Sequence, residues 1–496
     1  MTAKVLETPI FEKSNPGARG VSLPVFGLDS TGLNRISDFL PEGLTRKNLS
    51  RLPELAQLDT IRHYVRLSQL NHCIDTGFYP LGSCTMKFNP KVCDLYGQLD
   101  GFTQLHPLTP ESLSQGALEV MYRLQQYLAD VSGFDRVTLQ PAAGAQGELV
   151  GMMMVKAYFK KHQQPERTQV LIPDAAHGTN PASAAMCGFE VIELKSNREG
   201  GVDLDELKQK LSPKTAALML TNPNTLGLFE RDILEITRLV HDAGGLMYYD
   251  GANLNAVMGQ AKPALMGFDV MHINTHKTFA TPHGGGGPGS GPVAVNNKLA
   301  PFLPKPYADF DGSQYFLNND LPDSIGKVKA FWGNFEMMAR AFTYISAYGS
   351  EGLARVSQDA VLNANYLKEK LKTMYHVPYD LTCKHEFVMT SQRQKVTDPH
   401  INTMAIVKRL MDFGIHPPTV YFPLIVAECI MIEPTDTESK ETLDRFIEVM
   451  SEIDRECRET PDVILNAPHT TPIGKVDEVA AARNPDLNYF SAAKAD

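Results

Sequence analysis

Short apolar runs that end in polar residues recur through the middle of the chain. Five of them are predicted strands: Val170–Asp174, Glu190–Leu194, Ala217–Pro223, Leu246–Asp250 and Val270–Lys277. Amphipathic segments lie between them, and one, Glu230–Ala243, has its apolar residues on one face and ends at two glycines. Apolar strands that alternate with amphipathic helices predict an α/β fold with a mainly parallel sheet covered on both faces. Such a sheet binds its ligand beyond the carboxyl ends of its strands.

The pattern changes near residues 110 and 345, which predicts three regions. Residues 1–109 are rich in Pro and Gly and are expected to form an N-terminal arm with short helices, one of them at Leu52–Leu70. Residues 110–345 are expected to form a large domain around the sheet, with helices at Leu118–Val131 and after the glycine turn of Val137–Glu148. Residues 346–496 are expected to form a small α+β C-terminal domain with a loose tail. Its predicted helices are Val356–Leu371 and Thr437–Ile453.

Composition and charge exclude several classes of protein. The 496 residues carry a net charge of −10, which disfavours nonspecific nucleic-acid binding, because such binding needs clustered Lys and Arg. The longest apolar stretch, Tyr421–Ile432, contains Glu428 and is too short to cross a bilayer, so it is predicted to be a buried strand. The N-terminus lacks the apolar core of a signal peptide, and the seven cysteines form no C-x-x-C pair. These features predict a cytoplasmic protein with neither a membrane nor a nucleic-acid partner.

Two charged residues follow apolar strands where the ligand of such a sheet would lie. Lys277 follows one strand and is either a surface lysine or a Schiff-base lysine next to an aldehyde cofactor. Asp250 follows another and is either a helix N-cap or the partner of a pyridinium nitrogen. Each residue alone is ambiguous. The two together favour a cofactor with an aldehyde and a pyridine ring.

Three further features fit the same ligand. Ala142–Glu148 is a glycine turn that opens a helix, where the backbone N–H groups of Ala145 and Gln146 would bind a phosphate. Thr275 would add a hydroxyl to that phosphate. His177 follows another strand and would stack its imidazole on the cofactor ring, although an ordinary loop histidine bonded to the backbone is an equal alternative.

The glycine run at residues 284–289 gives a misleading signal. It satisfies the dinucleotide-binding pattern G-x-G-x-x-G, but it leads into the strand-like Gly291–Val295 and not into a helix. That context argues against a nicotinamide cofactor. His283, directly before the run, is either a proton donor or a turn residue.

Two other candidates are weaker. Cys84 is either a reactive thiol or one of the small buried apolar residues that free cysteines usually are. The adjacent His385 and Glu386 lack the spacing of metal ligands, so the sequence predicts no metal.

Eight segments of the chain together resemble one family, glycine dehydrogenase (decarboxylating), which is the P-protein of the glycine cleavage system. The resemblance is to its subunit 2, which is equivalent to the C-terminal half of the fused form, and it spans residues 30 to 490. The segments are YPLGSCTMKFNPK, PAAGAQGE, PDAAHGTNPASA, TNPNTLGLFE, YYDGANLNA, INTHKTFATPHGGGGPGSGPV, CKHEFV and GIHPPTVYFPLIVAECIMIEPT.

The resemblance implies a fold-type-I enzyme that depends on pyridoxal phosphate. Such an enzyme decarboxylates glycine, releases CO2 and passes the aminomethyl group to the lipoyl arm of the H-protein. The resemblance assigns the residues as follows: Lys277 is the Schiff-base lysine, Asp250 the pyridinium partner and His177 the stacking residue, while Ala145, Gln146 and Thr275 contact the phosphate. The proton donor is left open among Lys277, His177 and His283. Ser83, Cys84 and Thr85 are the candidates for contact with the substrate carboxylate.

The resemblance also implies partners. They are the alpha subunit (subunit 1), with which this chain would form an α2β2 heterotetramer, and the lipoylated H-protein. An aminotransferase or amino-acid decarboxylase that acts alone is the rival interpretation. A second rival is a non-enzymatic companion chain, but Lys277 and Asp250 argue against it, because the companion in this family lacks the Schiff-base lysine.

Overall fold

The computed structural model describes residues 6–21, 40–41, 43–44, 51–283 and 289–492. These residues fall into two compact units, one from residues 1–73 and 468–496 and the other from residues 74–467. The domain boundaries predicted near residues 110 and 345 stay a prediction.

Both units contain α-helices in their described residues. In order they are α1 (Gln57–Leu70), α2 (Lys91–Gly97), α3 (Asp100–Thr103), α4 (Gln115–Ser132), α5 (Gly144–Lys161), α6 (Thr179–Met186), α7 (Leu204–Lys210), α8 (Ile233–Asp242), α9 (Thr275–Thr278), α10 (Phe335–Leu371), α11 (Gln392–Thr397), α12 (Thr403–Asp412), α13 (Lys440–Glu459), α14 (Pro461–Leu465), α15 (Glu478–Arg483) and α16 (Tyr489–Ala492). Within the described residues, no helix has the length and apolar character that a membrane span requires.

The first unit contains α1, α15 and α16 in its described part. The predicted helix Leu52–Leu70 begins five residues later than expected, at Gln57. On its inner face His63 is buried, and its Nδ1 lies 3.0 Å from Oε1 of Glu7. The same carboxylate bonds Lys13, and these contacts lower the pKa of Glu7.

The second unit is built on a seven-stranded sheet. Its strands are β1 (Arg136–Thr138), β2 (Gln169–Pro173), β3 (Glu190–Leu194), β4 (Thr215–Thr221), β5 (Leu246–Gly251), β6 (Val270–Ile273) and β7 (Val293–Val295). They lie in the order β1-β7-β6-β5-β4-β2-β3, and only β7 pairs with its neighbours in the antiparallel sense. Strands β4, β5 and β6 are buried along their whole length, as expected for a sheet with helices on both faces. The predicted mainly parallel sheet is therefore confirmed.

The strand that leads to Lys277 ends earlier than its apolar run suggested. β6 stops at Ile273, and Asn274 then begins the one-turn helix α9. The N–H of Lys277 donates to the carbonyl of Asn274 over 3.1 Å. Lys277 therefore stands on a helical turn beyond the strand, and not at the strand terminus.

Five more strands complete the unit. They are β8 (Tyr307–Phe310) and β9 (Tyr315–Asn318), which form a hairpin, and β10 (Phe387–Thr390), β11 (Thr419–Val420) and β12 (Cys429–Ile432), which form a sheet in the order β10-β12-β11. The predicted strand Tyr421–Ile432 was wrong over its first eight residues, because β11 and β12 are antiparallel and the chain must reverse between them. Tyr421 and Glu428 have positive φ angles of 56° and 54°, which a continuous strand excludes.

The helices predicted in the C-terminal third are present with different limits. Val356–Leu371 is the second part of α10, which starts at Phe335 and is interrupted at Gly349, where φ is 61° and ψ is −175°. Thr437–Ile453 corresponds to α13, which begins at Lys440 after the N-cap Ser439. Both helices pack with the β10-β12 pair around a common apolar core that includes Leu367, Phe446 and Ile430.

Gly151 marks the closest approach of α5 to the sheet. A Cβ at Gly151 would lie 2.5 Å from Cε2 of Tyr248 on β5, and Tyr248 is fully buried. We expect Gly151→Ala to lower the free energy of unfolding by about 1–3 kcal/mol, the usual cost of overpacking a core. The matched control is Gly116→Ala in the first turn of α4, where no atom lies within 4 Å and alanine is expected to be neutral or stabilising. Denaturant unfolding of both variants checks this, and an unchanged midpoint for Gly151→Ala would contradict it.

Candidate active site

Asp250 lies at the carboxyl end of β5, in register with His272 on the neighbouring β6. Its side chain is 2% exposed, and Oδ1 accepts the N–H of Ala252 at 2.9 Å and lies 3.3 Å from Nε2 of His272. Burial alone would raise the pKa of Asp250, but His272, the Ala252 N–H and the charge of Lys277 outweigh it and lower the pKa. Asp250 is therefore a buried carboxylate that stays ionised.

Lys277 and His177 share this region with Asp250. Lys277 is half-buried on α9, and its positive charge acts on both Asp250 and His177. His177 is only partly exposed, and its Nδ1 accepts the N–H of Thr179 at 3.2 Å. Partial burial and then Lys277 lower the pKa of His177, so its ring is neutral at neutral pH. The structure thus brings together the three residues that the sequence selected for cofactor chemistry.

The N-terminus of α5 lies next to the turn that carries Lys277. A Cβ at Gly144 would lie only 1.7 Å from Oδ1 of Asn274, so the helix can approach this closely only with glycine as its first residue. No side chain caps the helix, which leaves the N–H groups of its first turn, including those of Ala145 and Gln146, for a ligand. The side chain of Gln146 is engaged elsewhere, with the N–H of Ala142 and the carbonyl of Val328.

Hydroxyl groups lie on α9 and at Ser290, whose carbonyl bonds Thr275 of α9. Within the described residues, the buried hydroxyl oxygens of Ser290 and Thr278 have no partner. Thr275, in contrast, donates to the carbonyl of Ser290 at 3.1 Å and lies 3.0 Å from the hydroxyl of Thr281. The predicted phosphate contact of Thr275 therefore competes with two existing bonds, whereas Ser290 and Thr278, which the sequence analysis missed, have unused hydroxyls.

His283 lies against another histidine. Its ring centroid is 4.7 Å from that of His276 at an interplanar angle of 70°. Burial and the charge of Lys277 lower the pKa of His283 to about 4, so the imidazole is neutral and suits a proton acceptor better than a donor at neutral pH. Residues 284–288 of the glycine run that follows lie outside the described residues.

Sequence analysis missed a buried cluster next to Asp250, which is centred on His272. His272 is fully buried, and its Nδ1 lies 3.0 Å from the hydroxyl of Tyr248. Its Nε2 accepts from Nδ2 of Asn274 at 3.0 Å, and burial lowers the pKa of His272 to about 4. Glu148 on α5 lies 3.8 Å from the same Nε2. A histidine within an apolar strand was the available signal, but nothing in the sequence linked it to Asp250.

Glu148 predicts how the stability of the chain depends on pH. Burial and the charge of Asp250 raise the pKa of Glu148 from 4.5 to about 9. The folded chain binds the proton of Glu148 more tightly than the unfolded chain does, and this stabilises the fold fully when the pH is below the pKa of Glu148 in the unfolded chain. The stabilisation is lost as the pH rises toward the pKa in the folded chain, by on the order of 1.4 kcal/mol per pH unit. We therefore expect Glu148→Gln to be more stable than the wild type at pH 8, with the difference shrinking toward pH 5. Thermal unfolding across this range measures it.

The control for this prediction is Glu199→Gln, since Glu199 is exposed. That variant is expected to follow the wild-type pH dependence. Identical pH profiles for Glu148→Gln and the wild type would contradict the prediction.

The segment Ser83–Thr85 has a backbone held by two buried glutamates. Ser83 and Thr85 have φ angles of 63° and 50°, which are costly for residues other than glycine and most of all for a β-branched one. The N–H of Ser83 donates to Oε2 of Glu386 at 2.7 Å. The N–H and hydroxyl of Thr85 donate to the two oxygens of Glu433 at 3.0 and 2.5 Å. These bonds offset the backbone strain.

Lys87 links the Ser83–Thr85 segment to α9, the helical turn that carries Lys277. Its side chain is buried, and Nζ donates to the carbonyl of Thr278 at 2.8 Å and to the hydroxyl of Tyr344 at 3.0 Å. Burial opposes the charge on Lys87, but Asp436 and Tyr344 outweigh it and raise the pKa. Lys87 therefore remains a cation and holds the segment beside Lys277.

Comparison with known proteins identifies the family. Residues 147–301 match the aminotransferase class-V family, and residues 356–470 match the family described as glycine dehydrogenase, C-terminal domain. The chain is 56% identical over 483 residues to the probable glycine dehydrogenase (decarboxylating) subunit 2 of Exiguobacterium sibiricum, with 97% of each chain covered. It is 55% identical over 480 residues to that of Caldanaerobacter subterraneus, with 97% of this chain and 98% of the relative covered. The chain belongs to the glycine dehydrogenase (decarboxylating) subunit 2 family.

Solved structures share the fold of this subunit 2. A crystal structure of the glycine decarboxylase (P-protein) of the glycine cleavage system, in an inhibitor-bound form, superposes with a TM-score of 0.71 at 19% identity and covers 84% of this chain and 94% of that one. A cysteine desulfurase from Thermococcus onnurineus superposes with a TM-score of 0.59 at 16% identity, over 77% of this chain and 95% of that one. These likenesses confirm the fold-type-I architecture that the resemblance implied.

Pyridoxal phosphate is the cofactor implied by the class-V fold and the subunit 2 family, and the site fits it. The ionised Asp250 matches a protonated ring nitrogen, because a buried carboxylate requires a positive partner. The uncapped start of α5 and the unpartnered hydroxyl of Ser290 match a phosphate. Lys277 has the primary amine that would bind an aldehyde.

Proposed function

We propose that this chain carries the catalytic site of a glycine decarboxylase of the glycine cleavage system. In this reaction glycine loses CO2 and its aminomethyl group passes to the lipoyl arm of the H-protein. One observation carries the proposal. At the carboxyl edge of the sheet, the buried and ionised Asp250 lies close enough to Lys277 for the charge of Lys277 to lower its pKa. That pair has the charges that an aldehyde-bearing pyridine ring requires.

Four parts of the site would hold the cofactor. Lys277 would bind its aldehyde carbon, and Asp250 would accept a hydrogen bond from the ring nitrogen. The first N–H groups of α5 would bind the phosphate, and His177 would pack on the ring. Pyridoxal phosphate, when bound, withdraws the electron pair of the bond that breaks.

The chain's own residues would orient glycine and exclude water. Thr278, Phe279 and Ala280 directly follow Lys277 and are buried, so they would keep water from that side of Lys277. Of the residues predicted to contact the glycine carboxylate, Thr85 is committed to Glu433, so the hydroxyl of Ser83 and the thiol of Cys84 remain. Burial raises the pKa of Cys84, which therefore keeps its proton and carries no negative charge toward the carboxylate.

Lys277 and His177 differ as proton carriers. His177 is neutral because its pKa is lowered. Its Nδ1 accepts from Thr179, so Nε2 bears the hydrogen and faces away from that bond. We infer that His177 positions the ring, while the amine of Lys277 takes up a proton when it leaves the aldehyde carbon and gives that proton back when it returns.

The assembly belongs to the same proposal. The relatives are named as a subunit 2, so we infer that a subunit 1 completes the enzyme as an α2β2 heterotetramer. A lipoylated H-protein would receive the aminomethyl group, and the complex would work in the cytoplasm. The chain's net charge of −10 means that docking of the H-protein has to use a local surface.

Exchange of labelled CO2 into glycine tests the proposed function. The chain is mixed with a subunit 1 of this family and lipoylated H-protein, and each component is omitted in turn. We expect exchange only when all three are present. Absence of exchange in the complete mixture would overturn the proposal, and amino-group transfer or decarboxylation by this chain alone would favour the rival aminotransferase or decarboxylase.

A further inference from the structure

Three ionisable side chains lie buried together beside the Ser83–Thr85 segment. They are His385, Glu386 and Glu433, and none of them is exposed. Nε2 of His385 lies 3.8 Å from Oε1 of Glu386 and 3.9 Å from Oε1 of Glu433. Among the residues that the structure describes, neither ring nitrogen of His385 has a hydrogen-bond partner, and nor does Oε1 of Glu386. Unpaired buried polar atoms are costly, so this cluster requires a reason beyond packing.

The two glutamates have different surroundings. Glu433 accepts three bonds, two from Thr85 and one from Nδ2 of Asn255 at 3.5 Å. Glu386 accepts one, from the N–H of Ser83, and only at Oε2. Donors stabilise a carboxylate, so Glu433 ionises first and Glu386 keeps its proton. The free oxygen of Glu386, Oε1, is then the atom that bears the proton.

The electrostatics agree with this assignment. Burial and the charge of Glu433 raise the pKa of Glu386 well above its ordinary range, whereas burial raises the pKa of Glu433 only to about 7. Two neighbouring carboxyl groups with separated pKa values are the arrangement in which one acts as an acid and the other as a charge. His385 stays neutral, because burial lowers its pKa to about 3.

The cluster faces the reaction site. The charge of Lys277 acts on Glu386, on Glu433 and on His385. Cys84, half-buried between Ser83 and Thr85, is affected by both glutamates and by Lys277. The other ionisable groups that Glu386 affects are the buried thiols Cys383 and Cys429, whose pKa values are raised to about 12, so they stay neutral. Lys277 and Glu433 are therefore the charges that control the proton of Glu386.

We propose that Glu386 is the catalytic acid of the transfer step, which gives the proton on its Oε1 to the sulfur that leaves when the disulfide of the acceptor opens. The step rests on the proposed function. The electron pair left on carbon by the loss of CO2 forms the new C–S bond, and the S–S bond breaks. Its electron pair goes to the second sulfur, which takes the proton and becomes a thiol. Glu386 is left as a carboxylate and regains a proton from solvent after release. The disulfide is reduced by two electrons, and the carbon supplies them.

Glu386→Gln tests this role, because glutamine has the shape and neutrality of the protonated acid but no proton to give. Its amide oxygen still accepts from Ser83. Wild-type and variant chains are assayed with subunit 1 and lipoylated H-protein. Two signals are followed: the change in cofactor absorbance on adding glycine, and the single-turnover formation of aminomethylated H-protein with its free thiol. We expect an unchanged absorbance response and a transfer rate about 10²–10⁴-fold lower, the usual contribution of an acid.

The matched control is Glu230→Gln. Glu230 is also buried, accepts the N–H of Val202 at 2.8 Å and has a pKa raised by burial, but Lys277 does not affect it. This variant is expected to transfer at the wild-type rate. If Glu386→Gln also transfers at that rate, or loses the glycine response to the same extent as transfer, the proposal is wrong. If the wild type itself forms no aminomethylated product, the failure lies in the proposed function.

Two further measurements examine Glu386 without turnover: one tests its protonation state, and the other tests whether the cluster binds a metal. Infrared difference spectroscopy of wild type against Glu386→Gln is expected to show the carbonyl band of a protonated carboxyl group at pH 7; a carboxylate band there would overturn the proposal. Metal analysis of the purified wild type addresses the other use of a His-Glu-Glu cluster. A stoichiometric metal that is lost in Glu386→Gln would also overturn it.

Glu433→Gln examines the partner charge. Without that negative charge the pKa of Glu386 falls, so the loss of transfer rate with rising pH is expected to begin at lower pH than in the wild type. An unchanged or opposite shift would contradict the roles given to the two glutamates.

Discussion

The variant Lys277→Ala is expected to lose the absorbance of covalently bound cofactor and to exchange CO2 into glycine about 10²–10⁴-fold more slowly, or not at all. Lys277 is given two roles, holding the aldehyde and carrying the proton that its amine takes up when it leaves the aldehyde carbon. Lys277 is half-buried near Asp250, and its charge acts on at least six ionisable groups. It is the one lysine among the four residues of α9, so no other primary amine on this helix can bind the aldehyde.

Lys195→Ala is the control for this prediction, since Lys195 is 62% exposed and pairs with Glu193 at the surface. It is expected to keep both signals. Exchange at the wild-type rate in Lys277→Ala would remove Lys277 from the mechanism.

The variant Asp250→Asn is expected to fold, to bind cofactor and to lose most of its activity, again by about 10²–10⁴-fold. Asparagine keeps the size of Asp250 and the acceptor for the N–H of Ala252, but it has no negative charge to hold the ring nitrogen protonated. The lowered pKa of Asp250 means that the folded chain favours the charged form, so removing the charge is expected to lower the free energy of unfolding of the cofactor-free chain at neutral pH. Exchange kinetics and thermal unfolding separate these two effects.

Asp203→Asn provides the comparison for Asp250→Asn. Asp203 caps α7 by accepting the N–H groups of Asp205 and Glu206, and asparagine caps a helix equally well. That variant is expected to match the wild type in activity and stability. Full activity in Asp250→Asn would contradict the role of the carboxylate, and failure to fold would show a structural role instead.

Local patterns in the sequence predicted much of the fold. Strands β2 to β6 are short, apolar and separated by amphipathic helices, so each could be recognised within its own ten to twenty residues. The polar residues at the strand ends predicted that Asp250 and Lys277 lie in one site, because parallel strands bring their carboxyl ends to one edge of the sheet. The roles of these residues follow from the fold and the family together.

Other parts of the structure depend on contacts that no local pattern contains. Tyr421–Ile432 is apolar apart from Glu428, yet the chain reverses within it because β11 must pair with β12. The one-turn helix that carries Lys277 depends on Asn274, which also packs against Gly144 far away in the chain. Neither the reversal nor this packing changes the hydrophobic pattern.

The acidic part of the site was the hardest to predict. Glu386 contacts Ser83 across 303 residues of sequence, and Glu433 contacts Thr85 across 348. Glu386 follows His385 in a segment without metal-ligand spacing, so no local pattern selected it. Glu386 directly precedes β10, and Glu433 directly follows β12. The two carboxyl groups are buried together only because these strands pair, and the local sequence does not show that pairing.

Chemical trapping of the cofactor tests the central claim most directly. The purified chain is incubated with pyridoxal phosphate, reduced with borohydride and digested, and the modified lysine is located by mass spectrometry. We predict one modified peptide, carrying the pyridoxyl group on Lys277. Modification at Lys87, the other buried lysine beside α9, or the absence of stoichiometric modification, would contradict the account.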